Sequence, residues 1–77
     1  MSTETLRVIV VYHHARDYPQ FNFVARQFFL VAGRLWPQPT LFATGETLRA
    51  VRDAVPPWMV CIPHQPGEDP VIVETWV

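Results

Sequence analysis

The chain has 77 residues and a mass of 8.9 kDa, which leaves room for one domain. Its formal net charge is −1, its six cations are all Arg, and it contains one Cys. These counts exclude a disulfide-stapled mini-protein, a disordered charged tail and a polybasic nucleic-acid arm. We therefore expect a single domain over 1–77, with a polar start at 1–5 that frays.

The sequence predicts neither a signal peptide nor a membrane span. The long apolar runs at 8–12 and 28–33 are far shorter than the roughly 20 residues that cross a bilayer. A lone thiol suits a reducing compartment, so we expect a soluble, cytoplasmic protein. The use of Arg without Lys is typical of a GC-rich bacterial or phage genome.

The first half of the chain is expected to form a strand and then a helix. Residues 6–12 are rich in Val and Ile and apolar on both faces, which favours a buried central strand. After a polar link, Pro19 suits the first turn of a helix over 20–36. Steps of 100° place nine apolar residues of this segment on one broad face, whereas Phe23 and Leu30 fall on the polar side.

The second half is expected to alternate short strands with one more helix. Pro37 and Pro39 end the first helix before a short strand at 40–43. Thr44 is the predicted N-cap of a second helix, which Pro56-Pro57 ends. The apolar stripe of this helix is Leu48, Val51 and Val55. Strands follow at 58–62 and 71–77, joined by a proline-rich connection.

The predicted fold is an α+β domain in the order β-α-β-α-β-β. It has two layers, with a mixed four-stranded sheet and two helices on one face. Strands joined through helices should be parallel, and the last two strands should form an antiparallel hairpin. A ferredoxin-like β-α-β-β-α-β fold is the alternative, but it needs a helix near the C-terminus, where the sequence is rich in Val.

Three histidines and the cysteine are the candidates for a ligand or metal site. His13 and His14 follow the first strand, where open α/β sheets place ligand-binding groups, and His64 is expected at the same end. Cys61 precedes His64 by three positions and would supply a zinc-compatible sulfur. However, adjacent residues on an extended chain point to opposite faces, and a Cys between apolar neighbours is typical of a core. We therefore predict no metal and no cofactor.

The sequence offers little for catalysis. The lone Ser is Ser2, in the polar start, and the acidic pair Glu68-Asp69 lies in a turn-rich segment. The three glycines match no phosphate-binding loop. We assign no catalytic residue, and the sequence favours a non-enzymatic protein over an enzyme.

Arginine is the basis of a nucleic-acid alternative. A basic face would form if the helices shared one side for Arg16, Arg26, Arg34, Arg49 and Arg52. The near-zero net charge argues against it, because nucleic-acid affinity requires clustered cations.

Apolar residues without an obvious place in the core are the most informative feature. Phe23 and Leu30 interrupt the polar side of the first predicted helix. Helices on one side of a two-layer domain leave the other sheet face uncovered, and that face is expected to hold Ile9, Val11, Ile72 and Trp76. Exposed apolar patches mark partner sites unless a loop or a helix edge covers them.

The sequence therefore predicts a small non-enzymatic interaction or regulatory module. We expect a homodimer that docks on an unknown protein partner and contacts neither membrane nor nucleic acid. The first alternative is a small-ligand or metal-binding protein that uses His13, His14, Cys61 and His64. An enzyme that uses the same residues is one form of this alternative. The second is an Arg-dependent nucleic-acid binder.

Overall fold

The computed structural model describes residues 5–77, which form one antiparallel sheet of five strands and one short helix. The elements are β1 (Thr5–His13), β2 (Phe23–Val31), β3 (Arg34–Gly45), α1 (Leu48–Ala54), β4 (Cys61–Pro63) and β5 (Ile72–Trp76). The strand order is β3-β2-β1-β5-β4. Of the start predicted to fray, residues 1–4 lie outside the described part of the chain, and Thr5 already belongs to β1.

The prediction of a central, buried first strand is confirmed. β1 pairs with β2 along nine residues and with β5 on its other side. Its Val and Ile residues suit this position because β-branched side chains pack well on a pleated surface. Ile9 and Val11 are fully buried.

The predicted helix over 20–36 is wrong, because this segment is a β-hairpin. β2 runs into β3 through a two-residue turn at Ala32 and Gly33, whose φ angles are 50° and 79°. Two successive positive φ angles are the mark of a type I′ hairpin turn, which matches the twist of its flanking strands. The aromatic and β-branched content of β2 favours the extended chain over the helix.

The predicted fold class is therefore wrong as well. The sheet has five strands rather than four, and one helix replaces two. The loop at 14–22 that joins β1 to β2 is shorter than the dozen or so residues that a parallel crossover needs, so β1 and β2 are antiparallel where a helical crossover would have made the pair parallel. The prediction of an antiparallel final hairpin is confirmed by the pairing of β4 with β5.

Both edge strands of the sheet contain proline. Pro37 and Pro39 lie on β3, and Pro63 ends β4. Proline has no N–H to donate, so it is tolerated at a sheet edge, where that donor would have no partner. The two edges therefore lack complete rows of donors for pairing with another strand.

The predicted second helix exists but begins later than expected. Its N-cap is Thr47, whose Oγ1 accepts a hydrogen bond from the Ala50 N–H at 3.2 Å, rather than Thr44. Val55 is extended because the following Pro56 disfavours helical backbone before it. Of the predicted stripe, Val51 and Val55 are buried and Leu48 packs against them.

The core lies between α1 and one face of the sheet. Its central cluster is Ile9, Val11, Ala25, Val51, Val55 and Met59. Within residues 5–77, no Phe, Trp, Tyr or Leu side chain is fully buried; the largest that are belong to Ile and Val. The domain is small and compact, yet its bulkiest apolar side chains stay in contact with solvent. None of the helical segments in this range is long and apolar enough to cross a membrane.

Candidate interaction surface

The sheet face turned away from α1 is apolar over three adjacent strands. Residues directly opposite each other on paired strands share a face. The register aligns Leu6 with Leu30 and Leu30 with Leu35, and it aligns Val8 with Phe28 and Phe28 with Pro37. These two apolar rows lie side by side, because they are two residues apart along β1.

The same apolar face continues onto the other half of the sheet. Val60 and Val77 exchange two backbone hydrogen bonds of 2.7 and 3.0 Å. Trp76 packs against the core, so the next residue, Val77, points to the opposite face. Ile62 lies two residues after Val60 and shares its face. We call this surface the open face; its apolar members are Leu6, Val8, Phe28, Leu30, Leu35, Pro37, Val60, Ile62 and Val77.

The open face holds most of the large apolar side chains that are exposed in residues 5–77. Its most accessible members are Val60 (64% exposed), Leu6 (58%), Leu35 (55%), Val77 (48%) and Ile62 (39%). Over residues 5–77 these are five of seven large apolar side chains that are exposed, and Trp36 and Trp58 are the other two. Apolar surface gathered on one face, rather than scattered, is the pattern of a binding site.

The open face carries little charge. Among the described residues, the pairing places one charged side chain on it, Arg26, which lies opposite Val10 and Leu41. The Arg26 guanidinium carbon lies 5.7 Å from the centre of the Phe28 ring, so part of its charge is directed at an aromatic face. The rows around Leu30 and Phe28 are uncharged.

The sequence-predicted interaction residues divide between the two faces. Leu30 lies on the open face, and Ile72 pairs with Tyr12 at its far end. Ile9 and Val11 are fully buried under the helix side, so the expectation that they lie on an uncovered face is wrong. Phe23 and Trp76 pack against the core and are half-buried.

Sequence analysis missed Leu6, Val8, Leu35 and Val60 as surface candidates. The signal for the first two was present, because alternation puts Leu6 and Val8 on the face opposite Ile9. Alternation does not indicate which of the two faces the helix covers.

The histidines do not assemble into a ligand cluster. The rings of His13 and His14 are 3.9 Å apart, and His13 stacks on Phe23 at 4.4 Å. His64 follows β4 at the same end of the sheet as His13, as expected, but its Nδ1 lies 2.8 Å from the carbonyl oxygen of Ile72. Across residues 5–77, no three His, Cys, Asp or Glu side chains are grouped closely enough to hold a metal ion. The pair His13-His14 is therefore an aromatic stack at the end of β1.

Cys61 lies beside a buried carboxylate and is not activated. Burial, together with the nearby Glu74, raises the pKa of the Cys61 thiol, which keeps it protonated at neutral pH. Glu74 is 3% exposed and accepts hydrogen bonds from Arg52 Nε at 3.0 Å, Arg52 Nη2 at 2.6 Å and Trp76 Nε1 at 2.8 Å. The Arg52 hydrogen bonds lower the pKa of Glu74. These three hydrogen bonds satisfy the carboxylate. Because Arg52 lies on α1 and Glu74 on β5, the Arg52 hydrogen bonds also join the helix to the sheet.

The arginines do not form one basic face. Arg49 and Arg52 lie on α1, on the side of the sheet opposite Arg26. Arg34 is at the β2–β3 turn, and Arg16 lies in the loop after β1 with one nitrogen 3.7 Å from Asp69. This scatter gives no continuous track for a phosphate backbone.

Comparison with known proteins returned no match to a family model, to a curated protein or to a solved structure.

Proposed function

We propose that this chain is a non-enzymatic interaction module that works as a homodimer, with the two copies packed through their open faces. The observation that carries the proposal is the open face itself, an apolar surface that crosses the sheet from β3 to β4 and that no helix covers in residues 5–77; the loop after β1 covers only its far end, around Val24. A sheet stabilises a domain best when both of its faces are covered, and a second sheet is a common cover.

The size of the open face suits a small dimer interface. Five strands at about 4.8 Å spacing are about 24 Å wide, and the three side-chain levels from Leu6 through Val8 to Ile62 occupy about 20 Å along the strands. This gives on the order of 500 Å² per copy, or about 1,000 Å² in total, near the lower bound for specific interfaces. Side-chain relief adds to this flat estimate.

A second copy fits this surface better than a strand added at an edge. The uncharged rows around Leu30 and Phe28 meet no like-charge repulsion when two identical faces come together. Proline on both edge strands works against association through backbone pairing. Face-to-face packing remains the favoured geometry.

The proposal includes a second, unidentified protein partner. Trp36 is 53% exposed and pairs with Phe29, on the opposite face from the Leu30–Leu35 pair. It stays accessible in the proposed dimer, and Trp is enriched among binding anchors. The free thiol of Cys61 and the Arg-only cations support a cytoplasmic location in a bacterial or phage system.

The chain offers a matched pair of variants to test the dimer. Leu35 and Trp36 are neighbours on β3 with nearly equal exposure, 55% and 53%, but they point to opposite faces. Leu35→Glu places a charge in the proposed interface, whereas Trp36→Glu places the same charge outside it. We expect wild type and Trp36→Glu to be dimers by light scattering and sedimentation equilibrium, and Leu35→Glu to be a monomer.

Each alternative result has a clear meaning. Burying half of a Leu side chain is worth about 1 kcal/mol, and a two-fold interface contains it twice, so even Leu35→Ala should weaken the dimer about 30-fold. A wild-type monomer at high concentration would refute the proposal. Dissociation by Trp36→Glu but not by Leu35→Glu would place the interface on the other face.

A further inference from the structure

A second site lies at the far end of the sheet from Leu6 and Leu35. The loop after β1 bends over the open-face side there and encloses a cleft of about 180 Å³. The apolar part of its lining is Ala15, Val24 and Val71. Val24 and Ala15 are 1% and 9% exposed, so surrounding protein atoms hold them in place, and the half-buried Val71 offers more of the apolar surface that a ligand can contact.

Charges of both signs line the same cleft. The polar lining comprises Tyr12, Arg16, Asp17, Tyr18, Arg26 and Asp69. Two arginines and two aspartates give it a net charge of zero. Arg16 and Asp69 are 3.7 Å apart across its rim, whereas Arg26 and Asp17 make no ion pair within residues 5–77. The cleft thus holds one anion, Asp17, and one cation, Arg26, without a counter-charge in residues 5–77; the recorded contact of the Arg26 guanidinium is with the Phe28 ring, which leaves its N–H groups able to bind a carboxylate.

The loop that forms the cleft is held in place by its own backbone. His14 adopts a left-handed φ of 54°, and its N–H donates to the Asn22 carbonyl at 2.9 Å. The Tyr18 N–H donates to the Ala15 carbonyl at 3.1 Å. On the opposite wall, Asp69 accepts from the Val71 N–H at 3.1 Å. A site built this way is formed before a ligand arrives, which lowers the ordering cost of binding.

Tyr12 also lines the cleft, and its hydroxyl is close enough to the charged residues there for them to affect its pKa. Burial raises the pKa of its hydroxyl, while the charge of Arg26 acts in the lowering direction and those of Asp69 and Asp17 in the raising direction. The hydroxyl is therefore neutral at physiological pH, able to donate and to accept a hydrogen bond.

We propose that this cleft binds a small zwitterion, an α-amino acid with a short aliphatic side chain. Arg26 takes the carboxylate, Asp17 takes the ammonium group, and the side chain packs on Ala15, Val24 and Val71. A singly charged ligand would pair only one of the two charged residues. The cavity is smaller than the roughly 300–1,000 Å³ of pockets for drug-sized ligands, which limits the occupant to a small metabolite.

The test uses L-valine and its two singly charged analogues, isovalerate and isobutylamine. The protein is labelled with ¹⁵N, and all titrations use the Leu35→Glu background, so that a change in the dimer cannot imitate a change in the cleft. We expect L-valine to shift the amide signals of 14–18, 69 and 71 with saturation. Each analogue should bind at least tenfold more weakly, because it lacks one charge-assisted contact.

Variants then assign the contacts. Arg26→Gln and Asp17→Asn should each weaken L-valine binding at least tenfold, and Arg34→Gln, a matched arginine at the distant β2–β3 turn, should not change it. Asp17 lies in the loop outside the sheet, so its variant stays informative even if Arg26→Gln perturbs β2. Saturable isovalerate binding as tight as that of L-valine would overturn the proposal in favour of an anion site. Absence of saturable shifts with L-valine, or unchanged affinity in a folded Asp17→Asn variant, would overturn it outright.

Discussion

Removing the Arg52 side chain should leave a buried carboxylate short of donors. Glu74 is 3% exposed, and two of its three hydrogen bonds come from Arg52. Breaking one partner of a buried ion pair costs about 3–5 kcal/mol. The Arg52 side chain is 48% exposed, so water reaches the vacated space, and Trp76 still donates one hydrogen bond. We therefore expect Arg52→Ala to lower the free energy of unfolding by about 2–3 kcal/mol.

The assay is thermal and urea unfolding at one fixed protein concentration, because the stability of a dimer depends on concentration. A loss of 2–3 kcal/mol in a domain of this size lowers Tm by about 10–20 °C. Arg49→Ala is the matched control: the same substitution on the same helix, at an exposed residue, should change stability by less than about 0.5 kcal/mol. Adding Glu74→Gln to Arg52→Ala should recover part of the loss. Equal Tm values for Arg52→Ala and Arg49→Ala would refute the reasoning, since they would mean that Glu74 is hydrated without its partner.

Acid should remove the same stabilisation. Because Arg52 lowers the pKa of Glu74, the stability from this pair is complete above the ordinary glutamate value of 4.5 and is lost as pH falls through the lower folded-state pKa. Urea unfolding from about pH 7 to about pH 2 should bring wild type and Glu74→Gln together at the acid end, and parallel curves would contradict this. At the β2–β3 turn, Ala32→Asn should stabilise by about 0.5–1 kcal/mol and Gly33→Ala should destabilise by about 1 kcal/mol. A Cβ on Gly33 would meet nothing within 4 Å, so its cost is conformational, and destabilisation by Ala32→Asn would argue against the type I′ turn.

The elements that sequence analysis predicted correctly have unambiguous local patterns. β1 is a run of β-branched residues, and the stripe through Val51 and Val55 has helical spacing followed by Pro56-Pro57. The hairpin β2–β3 was missed because β2 is apolar on both faces. One face lies under α1 through Ala25, and the other is the open face through Phe28 and Leu30. Without alternating polar residues the period of two is hidden, and helical spacing is matched by coincidence.

Local sequence patterns could not predict the turn or the covered face, and the reasons differ. Ala32-Gly33 is a weaker turn signal than Asn-Gly, and Gly33 fits equally well as a slightly unfavourable helical residue. The open face depends on which side of the sheet α1 packs against. That choice is made by the whole chain, so the two faces of β1 were separated correctly but the wrong one was expected to be exposed. Ile72 was grouped with Trp76, although the bulge opposite Val11 and Tyr12 puts these two residues on different faces.

The strand order has a consequence for how the chain folds. β1 lies at the centre of the sheet, but its two partner strands lie at very different separations along the sequence. β2 is the next strand, whereas β5 is at the other end of the described chain. Pairing over such a long separation carries a larger loop-closure entropy, so it forms late. Until then β1 is itself an edge, rich in Val and without proline. The prolines of β3 and β4 protect the finished sheet, but an incomplete chain has an open and aggregation-prone strand at its centre.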